Sequence, residues 1–419
     1  MEKALLVSIE LKNETGHWRI EDISSELEEL VFSAGLEVVD NIICLCERPS
    51  ARYLIGKGKV EEIGFIAGEE NVDAVIFSHD LSGTQQRNLE TAFGRKTIDR
   101  TQLILDIFSR RARSPEGKMQ VELALLQYLL PRLKGKGVML SDLGGGVGTR
   151  GPGETKLETD RRQVRKKIDK LKQDLQSFQQ HRQTLKKRRK SNNLPLVALV
   201  GYTSAGKSTL LNLLTSSNQD TSDKLFTTLD PVAKNFTLPD GQEIVISDTV
   251  GFLHQLPHHL IEAFKATLEE VLEADLLIHV LDVSDPRLTE HNQAVKEVLE
   301  ELGVEEKSVL QVLNKIDRID NQGWPDLSSG GFTDPVYFSA KTGENLDLLV
   351  RRIAGYFSDR LLDLKLVIPN SRMDLVNYFY RNAKVKEIEY RPNDIQIRVG
   401  IGRVSFSRIQ GDKDIAVIC

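Results

Sequence analysis

Gly201–Thr209 reads GYTSAGKST and stands between two apolar runs, PLVALV ending at Val200 and LLNLL starting at Leu210. A short apolar run before a glycine-rich turn, and a second with helical spacing after it, predict strand, loop and helix in that order. The spacing G-x-x-x-x-G-K-[ST] is that of a nucleotide phosphate-binding loop. Gly201 and Gly206 let main-chain N–H groups curl round phosphate oxygens where a Cβ would block the approach. Lys207 has the reach and charge for the β- and γ-phosphates, and the Ser208 hydroxyl is a hard-oxygen ligand for Mg²⁺. The whole loop, with Tyr202, Thr203, Ser204, Ala205 and Thr209, is expected to line the phosphates. This stretch predicts a P-loop α/β domain over residues 191–357.

The downstream motifs choose the nucleotide. Asp248, Thr249, Val250 and Gly251 follow the strand-like run IVIS. An acid there can hold a water of the Mg²⁺ shell, and the Gly251 N–H can bond the γ-phosphate. Asn314, Lys315 and Asp317 form N-K-x-D after another apolar run, VLQVL. A carboxylate at Asp317 can accept from guanine N1–H and the 2-amino group, and adenine offers neither donor, so the pattern selects GTP. Ser339, Ala340 and Lys341 follow the last strand candidate. The Ala340 N–H suits guanine O6, and the stems of Lys315 and Lys341 can sandwich the base. Phe226, Thr227, Thr228, Leu229 and Asp230 lie between the phosphate loop and Asp248, where a hydroxyl should complete the Mg²⁺ shell and sense the γ-phosphate. Thr228 is favoured, with Thr227 the alternative. Lys207, Thr228 and Gly251 are the expected catalytic contacts, and Ser208 and Thr228 the expected metal ligands. Phe252 follows Gly251 where signalling GTPases place a water-orienting glutamine. A phenyl ring cannot orient water, so hydrolysis should be slow until a partner supplies the missing geometry.

The flanking regions suggest what such a switch acts on. The chain has 419 residues, a net charge of −5 and 40% hydrophobic residues, enough for several cores. Residues 1–100 alternate strand-like and helix-like runs, which predicts a small α/β subdomain with a parallel sheet. Within it, Arg52–Lys59 (RYLIGKGK) reads equally as a surface turn or as an RNA or partner contact. Residues 101–190 read as a long antiparallel helical hairpin. One helix starts at Ser114-Pro115, a capping residue followed by proline. The other carries an apolar seam at Leu157, Val164, Ile168, Leu171, Leu175, Phe178 and Leu185. Gly135–Gly153 between them has eight glycines in 19 residues, and a structureless loop of that length is often functional. From Arg161 to Lys190 there are 13 Lys or Arg against two acids, a footprint for a polyanion that does not separate RNA from DNA. Residues 358–419 alternate like strands around one helix, a small α+β module. Cys44, Cys46 and Cys419 show no zinc spacing, and Cys44 and Cys46 fit packing on one face of a strand. No apolar stretch approaches a membrane span, and MEKALLVSIE is not a signal peptide. A cytoplasmic, monomeric protein is expected.

Taken together, Leu54–Lys59, Leu81–Leu89 (LSGTQQRNL), Asp99–Phe108 (DRTQLILDIF), Gln120–Ala124 (QVELA), Gly144–Glu154 (GGGVGTRGPGE), Leu229-Asp-Pro231, Leu256-Pro-His258 and Ala263–Glu270 (AFKATLEE) resemble the HflX family of translational GTPases. The resemblance covers most of the chain and weakens after Asp359. Thr227 stands where the family pattern has Ala, which aligns Thr228 with the Mg²⁺ ligand, and Phe252 agrees with the hydrophobic residue found there. The resemblance implies a GTPase that binds the 50S subunit and its rRNA, inserting the hairpin loop Gly144–Gly153 toward the peptidyl-transferase centre. It also implies splitting of stalled 70S ribosomes and ribosome-stimulated hydrolysis. The competing readings are a 50S assembly factor whose release GTP hydrolysis times, and a signalling or membrane switch, which the lack of an anchor disfavours.

Overall fold

The computed structural model describes the chain apart from residues 1, 13–17, 134–155, 192–193, 216, 218–224, 255–264, 305, 320–326, 328–330, 403–404, 407–408, 410–411, 413 and 419. The chain divides into two compact units. One comprises Met1–Thr184, Ser222–Asp230 and Leu253–Leu268, and the other Leu185–Thr221, Pro231–Phe252 and Glu269–Cys419.

The first unit alternates strand and helix: β1 (Lys3–Leu11), α1 (Ile20–Ser33), β2 (Glu37–Cys46), α2 (Lys57–Glu69), β3 (Ala74–Phe77), α3 (Gly83–Phe93), β4 (Lys96–Asp99) and α4 (Arg100–Arg111). Its four strands are parallel in the order β2-β1-β3-β4. Parallel pairing needs a crossover between strands, and the helices supply it. Covered on both faces, β1 is buried continuously from Ala4 to Ile9. The four-residue β4 (KTID) is too short to announce itself by periodicity. The helix after it fixes its end, since Asp99 closes the strand and caps α4 by accepting from Gln102 N at 2.8 Å. Cys44 and Cys46 are buried in this unit's core as free thiols. The glycine-lysine stretch at 56–59 is the cap and first turn of α2. Its lysines pair with carboxylates on the same helix, Lys57 with Glu61 and Lys59 with Glu62.

The arm comes next, as α5 (Pro115–Leu129) and α6 (Lys156–Ser191). At 1.5 Å per residue α6 is roughly 54 Å long. Leu123 packs with Ile168 and Leu171, joined by Met119, Leu126, Leu130, Val164 and Leu175, so the middle of the predicted seam is the helix–helix contact. Glu116 at the start of α5 pairs with Arg182 late in α6, and Glu122 pairs with Lys167. That order makes the helices antiparallel. The glycine-rich segment, 144–153 included, lies outside the described residues, as do the side chains of 185–191.

The second unit begins with β5 (Leu196–Val200), α7 (Lys207–Thr215), β6 (Val232–Thr237) and β7 (Glu243–Asp248). After α8 (Lys265–Glu273) it continues with β8 (Leu276–Asp282), α9 (Leu288–Glu301), β9 (Val309–Asn314), β10 (Val336–Tyr337) and α10 (Leu346–Tyr356). The sheet order is β10-β9-β8-β5-β7-β6, parallel except for β6. β6 is exposed over most of its length and forms an antiparallel edge hairpin with β7, which explains why its apolar signal is weak. A second, antiparallel sheet closes the chain: β11 (Leu362–Pro369), α11 (Met373–Asn382), β12 (Lys384–Tyr390), β13 (Asp394–Ile401) and β14 (Ala416–Ile418), in the order β12-β13-β11-β14. Among the described residues no helix is long and apolar enough to cross a membrane.

The last module is seated on the β6–β7 turn. Gly241 has φ +76°, and a Cβ there would meet the Asn382 carbonyl oxygen at 1.7 Å. Ser405 Oγ donates to the Gly241 carbonyl, and Gly402 lies against Gln242. Gly241→Ala should therefore carry both a left-handed backbone penalty of roughly 1–2 kcal/mol and a main-chain clash. Gly303→Ala is the control, because its φ of +67° brings the same backbone penalty with nothing within 4 Å. Thermal melts should show Gly241→Ala lowering stability by about 2 kcal/mol more than Gly303→Ala. Equal losses would contradict a tight seam.

Candidate functional site

The site of the second unit lies at the C-terminal ends of the parallel strands, where open α/β sheets place their ligands. β5 is fully buried and delivers Gly201 with φ +151°, where a Cβ would meet the Val280 carbonyl oxygen at 2.2 Å. At Gly206, φ is +99° and a Cβ would meet Asn314 Nδ2 at 2.2 Å. Between them Ser204 is exposed and left-handed at φ 58°. The loop opens directly into the N-terminus of α7, an electropositive helix end suited to phosphate. Lys207, 6% exposed, donates to the carbonyls of Gly201 at 3.0 Å and Tyr202 at 2.8 Å. Burial pushes its ammonium down to about 8, with nearby Asp248 opposing the shift.

Ser208 Oγ donates to Asp248 Oδ2 at 2.6 Å, so the two hard-oxygen groups predicted for the metal shell are neighbours. Thr249 Oγ1 is tied to the Leu199 carbonyl at 2.6 Å and is a structural pin between β7 and β5. Gly251 is pressed onto the loop: a Cβ would meet Thr203 Cα at 2.8 Å and Lys207 Nζ at 3.2 Å. Phe252 continues the contact through its backbone, its N–H donating to the Gly201 carbonyl at 3.1 Å and its carbonyl accepting from Thr203 N at 2.9 Å. Its ring is 1% exposed. The residue in the glutamine position is therefore a core residue, and it cannot present a group to water.

Asn314 joins the phosphate loop to the base-recognition loop. Its Nδ2 donates to the Ala205 carbonyl at 2.8 Å and its Oδ1 accepts from Ala340 N at 2.9 Å. The Ala340 N–H predicted for guanine O6 thus already has an acceptor, which the base must share or replace. Asp317 is exposed, and Oδ1 accepts from Ser339 Oγ at 2.6 Å, which orients the carboxylate. Lys315 is left-handed at φ 67° and its ammonium pairs with Asp282 at 2.5 Å. That contact anchors the head while the aliphatic stem stays available as a base platform. Lys341 is exposed.

The Phe226–Asp230 segment belongs to the first unit. Phe226, with φ 58°, packs edge-on against Phe108 at 4.4 Å and is 2% exposed. Leu229 is also buried. Asp230 Oδ2 accepts from Arg113 N at 2.9 Å and Ser114 N at 2.8 Å, and its Oδ1 accepts from Ser114 Oγ at 2.5 Å. It therefore caps α5 alongside Ser114. The side chains of Phe226, Leu229 and Asp230 make contacts inside the first unit, and Thr227 and Thr228 are half-buried. His254 is held in the same unit: Arg100 donates to its carbonyl at 2.6 Å, and Trp18 stacks on its ring at 4.4 Å. Trp18, Arg100 and Ser114 carry no GTPase motif, and only the cap before Pro115 was legible in the sequence.

Comparison with known proteins places these elements in one family. Residues 21–109 match the family described as GTP-binding GTPase N-terminal, and residues 111–189 match GTP-binding GTPase Middle Region. Residues 196–315 match 50S ribosome-binding GTPase. The GTPase HflX of Caldanaerobacter subterraneus subsp. tengcongensis is 44% identical over 400 residues, covering 96% of this chain and 91% of that protein. The GTPase HflX of Escherichia coli (strain K12) is 39% identical over 410 residues, covering 97% and 95%. A solved complex of the protein SsGBP with GDP is 28% identical, covers 85% of this chain and 98% of its own, and superposes with a TM-score of 0.47.

The geometry makes the base contact and the buried lysine testable. Asp317→Asn should weaken GTP binding roughly 10- to 100-fold and favour xanthine nucleotides, which a competition assay with XTP and GTP reads directly; unchanged GTP affinity would remove Asp317 from the base site. For Lys207 the variable is pH. A phosphate tail favours the charged form of its ammonium, so nucleotide binding above pH 8 takes up a proton and affinity falls as pH rises from about 8 toward 9. In folding the sign is opposite. The folded pKa lies below the unfolded value, so burial costs stability in full below pH 8, and the cost is relieved as pH rises from there toward the unfolded value. Calorimetric binding at pH 7, 8 and 9 should show the loss of affinity in the wild type and a flat profile in Lys207→Met. A flat wild-type profile would contradict it.

Proposed function

This chain belongs to the HflX family of GTPases, and we propose that in its GTP form it binds the 50S ribosomal subunit and dissociates stalled or idle 70S ribosomes. The observation that carries the reading is the arm. On α6, Arg162, Arg165, Lys166, Lys170 and Lys172 are exposed along a helix whose apolar seam is spent on α5. Long-stemmed cations along a rod of this length suit phosphates of a folded RNA, and binding of that kind weakens steeply with salt. The glycine-rich segment 144–153 joins the two arm helices and is the proposed tip that enters the rRNA.

GTP hydrolysis is the enzyme's reaction. The chain's own residues bind the phosphates through the loop amides and Lys207, select guanine through Asp317, and aim the Gly251 N–H at the γ-phosphate. Ser208 fits Mg²⁺ as a hard-oxygen ligand, with Asp248 beside it to hold a water of the shell, and Thr228 is the second ligand read from the sequence. When bound, the ion neutralises charge between the β- and γ-phosphates. Nothing at position 252 orients a water, so the proposed catalytic geometry is completed on the ribosome and hydrolysis sets when the protein leaves.

The second reading, a 50S assembly factor released by hydrolysis, uses the same arm. A sucrose gradient separates the two. Vacant 70S ribosomes incubated with the full chain and a non-hydrolysable GTP analogue should resolve into 30S and 50S peaks, with the protein on 50S. Removing 144–153 should abolish splitting while GTP affinity stays at the wild-type level. Intact 70S with protein bound only to immature 50S particles would support the assembly reading instead.

A further inference from the structure

Tyr202 fills a position in the phosphate loop for which the nucleotide-binding pattern sets no residue type. Its ring is 5% exposed and lies face to face on His291 of α9, with centroids 3.8 Å apart and planes 13° from parallel. His291 is 6% exposed. The start of α9 is itself braced. Asp285 accepts from the Arg287 main chain at 2.8 Å and from its guanidinium at 3.1 Å, and Asp285 Oδ2 stands 3.8 Å from His291 Nδ1.

The main chain of Tyr202 is where the site's parts meet. Its carbonyl accepts from Lys207 Nζ at 2.8 Å and from Ala205 N at 3.4 Å. It forms a parallel bridge with Phe252, which ties the loop to the end of the Asp248–Gly251 motif. A ring held from below therefore fixes the height and tilt of the carbonyl that seats the phosphate-binding ammonium, and of the strand pair that places Gly251. A small or flexible contact at 291 would leave that carbonyl free to tip.

We propose that His291 is a positioning residue for GTP binding, holding the phosphate loop in register through its stack on Tyr202. The contact is with the loop and not with nucleotide, so the effect belongs to phosphate grip and not to base choice. The inference rests on the GTP site alone, and its failure would leave the ribosomal reading untouched.

The test compares flat with merely bulky replacements. Dissociation of a fluorescent GDP or GTP analogue is measured by stopped flow on the full chain carrying His291→Phe, His291→Leu or Tyr202→Leu, with melting temperatures taken alongside. Phe at 291 keeps a ring on a ring and should stay near the wild-type rate. Leu keeps the volume and loses the flat face, and should release nucleotide roughly three- to tenfold faster, the range expected of one aromatic pair. GTP and XTP should be discriminated as well as before in all three. Leu rescuing as well as Phe would reduce the contact to core filling and overturn the proposal. So would unchanged rates in all three variants, or Phe releasing nucleotide as fast as Leu.

Discussion

The phosphate loop has no room in it. A Cβ at Gly201 or Gly206 would stand 2.2 Å from the Val280 carbonyl or the Asn314 amide, and one at Gly251 would stand 2.8 Å from Thr203 Cα. Real Cβ contacts do not come that close, so each approach is available to glycine only. The rest of the second unit depends on this compression. Because β8 presses on Gly201, the loop cannot sink; because Gly251 presses on Thr203, the γ-phosphate motif cannot drift away. Asn314 then carries the constraint sideways to Ala340 and the base-recognition loop. One buried amide thus links the main chain of Ala205 to the main chain of Ala340. Lys207 is buried in the same compression, donates to the Gly201 and Tyr202 carbonyls, and has its ammonium pushed down by burial to about 8, with Asp248 opposing the shift.

Inside the first unit the segments around Asp230 and His254 are held by contacts that have nothing to do with nucleotide chemistry. Asp230 is spent on the start of α5, Phe226 on Phe108, and Leu225 N on Ser33 Oγ at 2.9 Å. Arg100 is buried with Glu26 and reaches the His254 carbonyl. Removing one partner of a buried pair of this kind costs about 3–5 kcal/mol. The segment that precedes Pro231 is therefore bonded directly to the helix that begins the arm. Any movement of Asp230 must break the cap of α5 or carry that helix with it.

The sequence was most readable where chemistry restricts residue type. G-x-x-x-x-G-K-S, D-x-x-G, N-K-x-D and S-A-K named the phosphate and base groups because only a few residues can perform those contacts. The heptad seam on α6 was readable for a different reason: a long helix against one partner repeats its apolar positions, and Val164, Ile168, Leu171 and Leu175 do pack on α5. Short elements were lost. β4 has four residues and β6 is an exposed antiparallel edge, so neither has the periodicity that marks a strand. Long-range partners were lost as well. Nothing local in Asp230 says that its carboxylate caps a helix 116 residues earlier, and nothing in Ala340 says that its N–H is already taken by Asn314. For both residues, position in a motif was the only signal present.

On the proposed function, a GTP clamp whose residue 252 is a buried ring turns over only when a ribosomal partner completes its geometry. The single-turnover rate of GTP hydrolysis by the full chain, titrated with purified 50S subunits at fixed Mg²⁺ and salt, measures that dependence. The protein alone should hydrolyse GTP far more slowly than one per second, and 50S should raise the rate at least tenfold, saturating near one 50S per protein. A fast intrinsic rate, or a slow rate indifferent to 50S, would contradict the clamp.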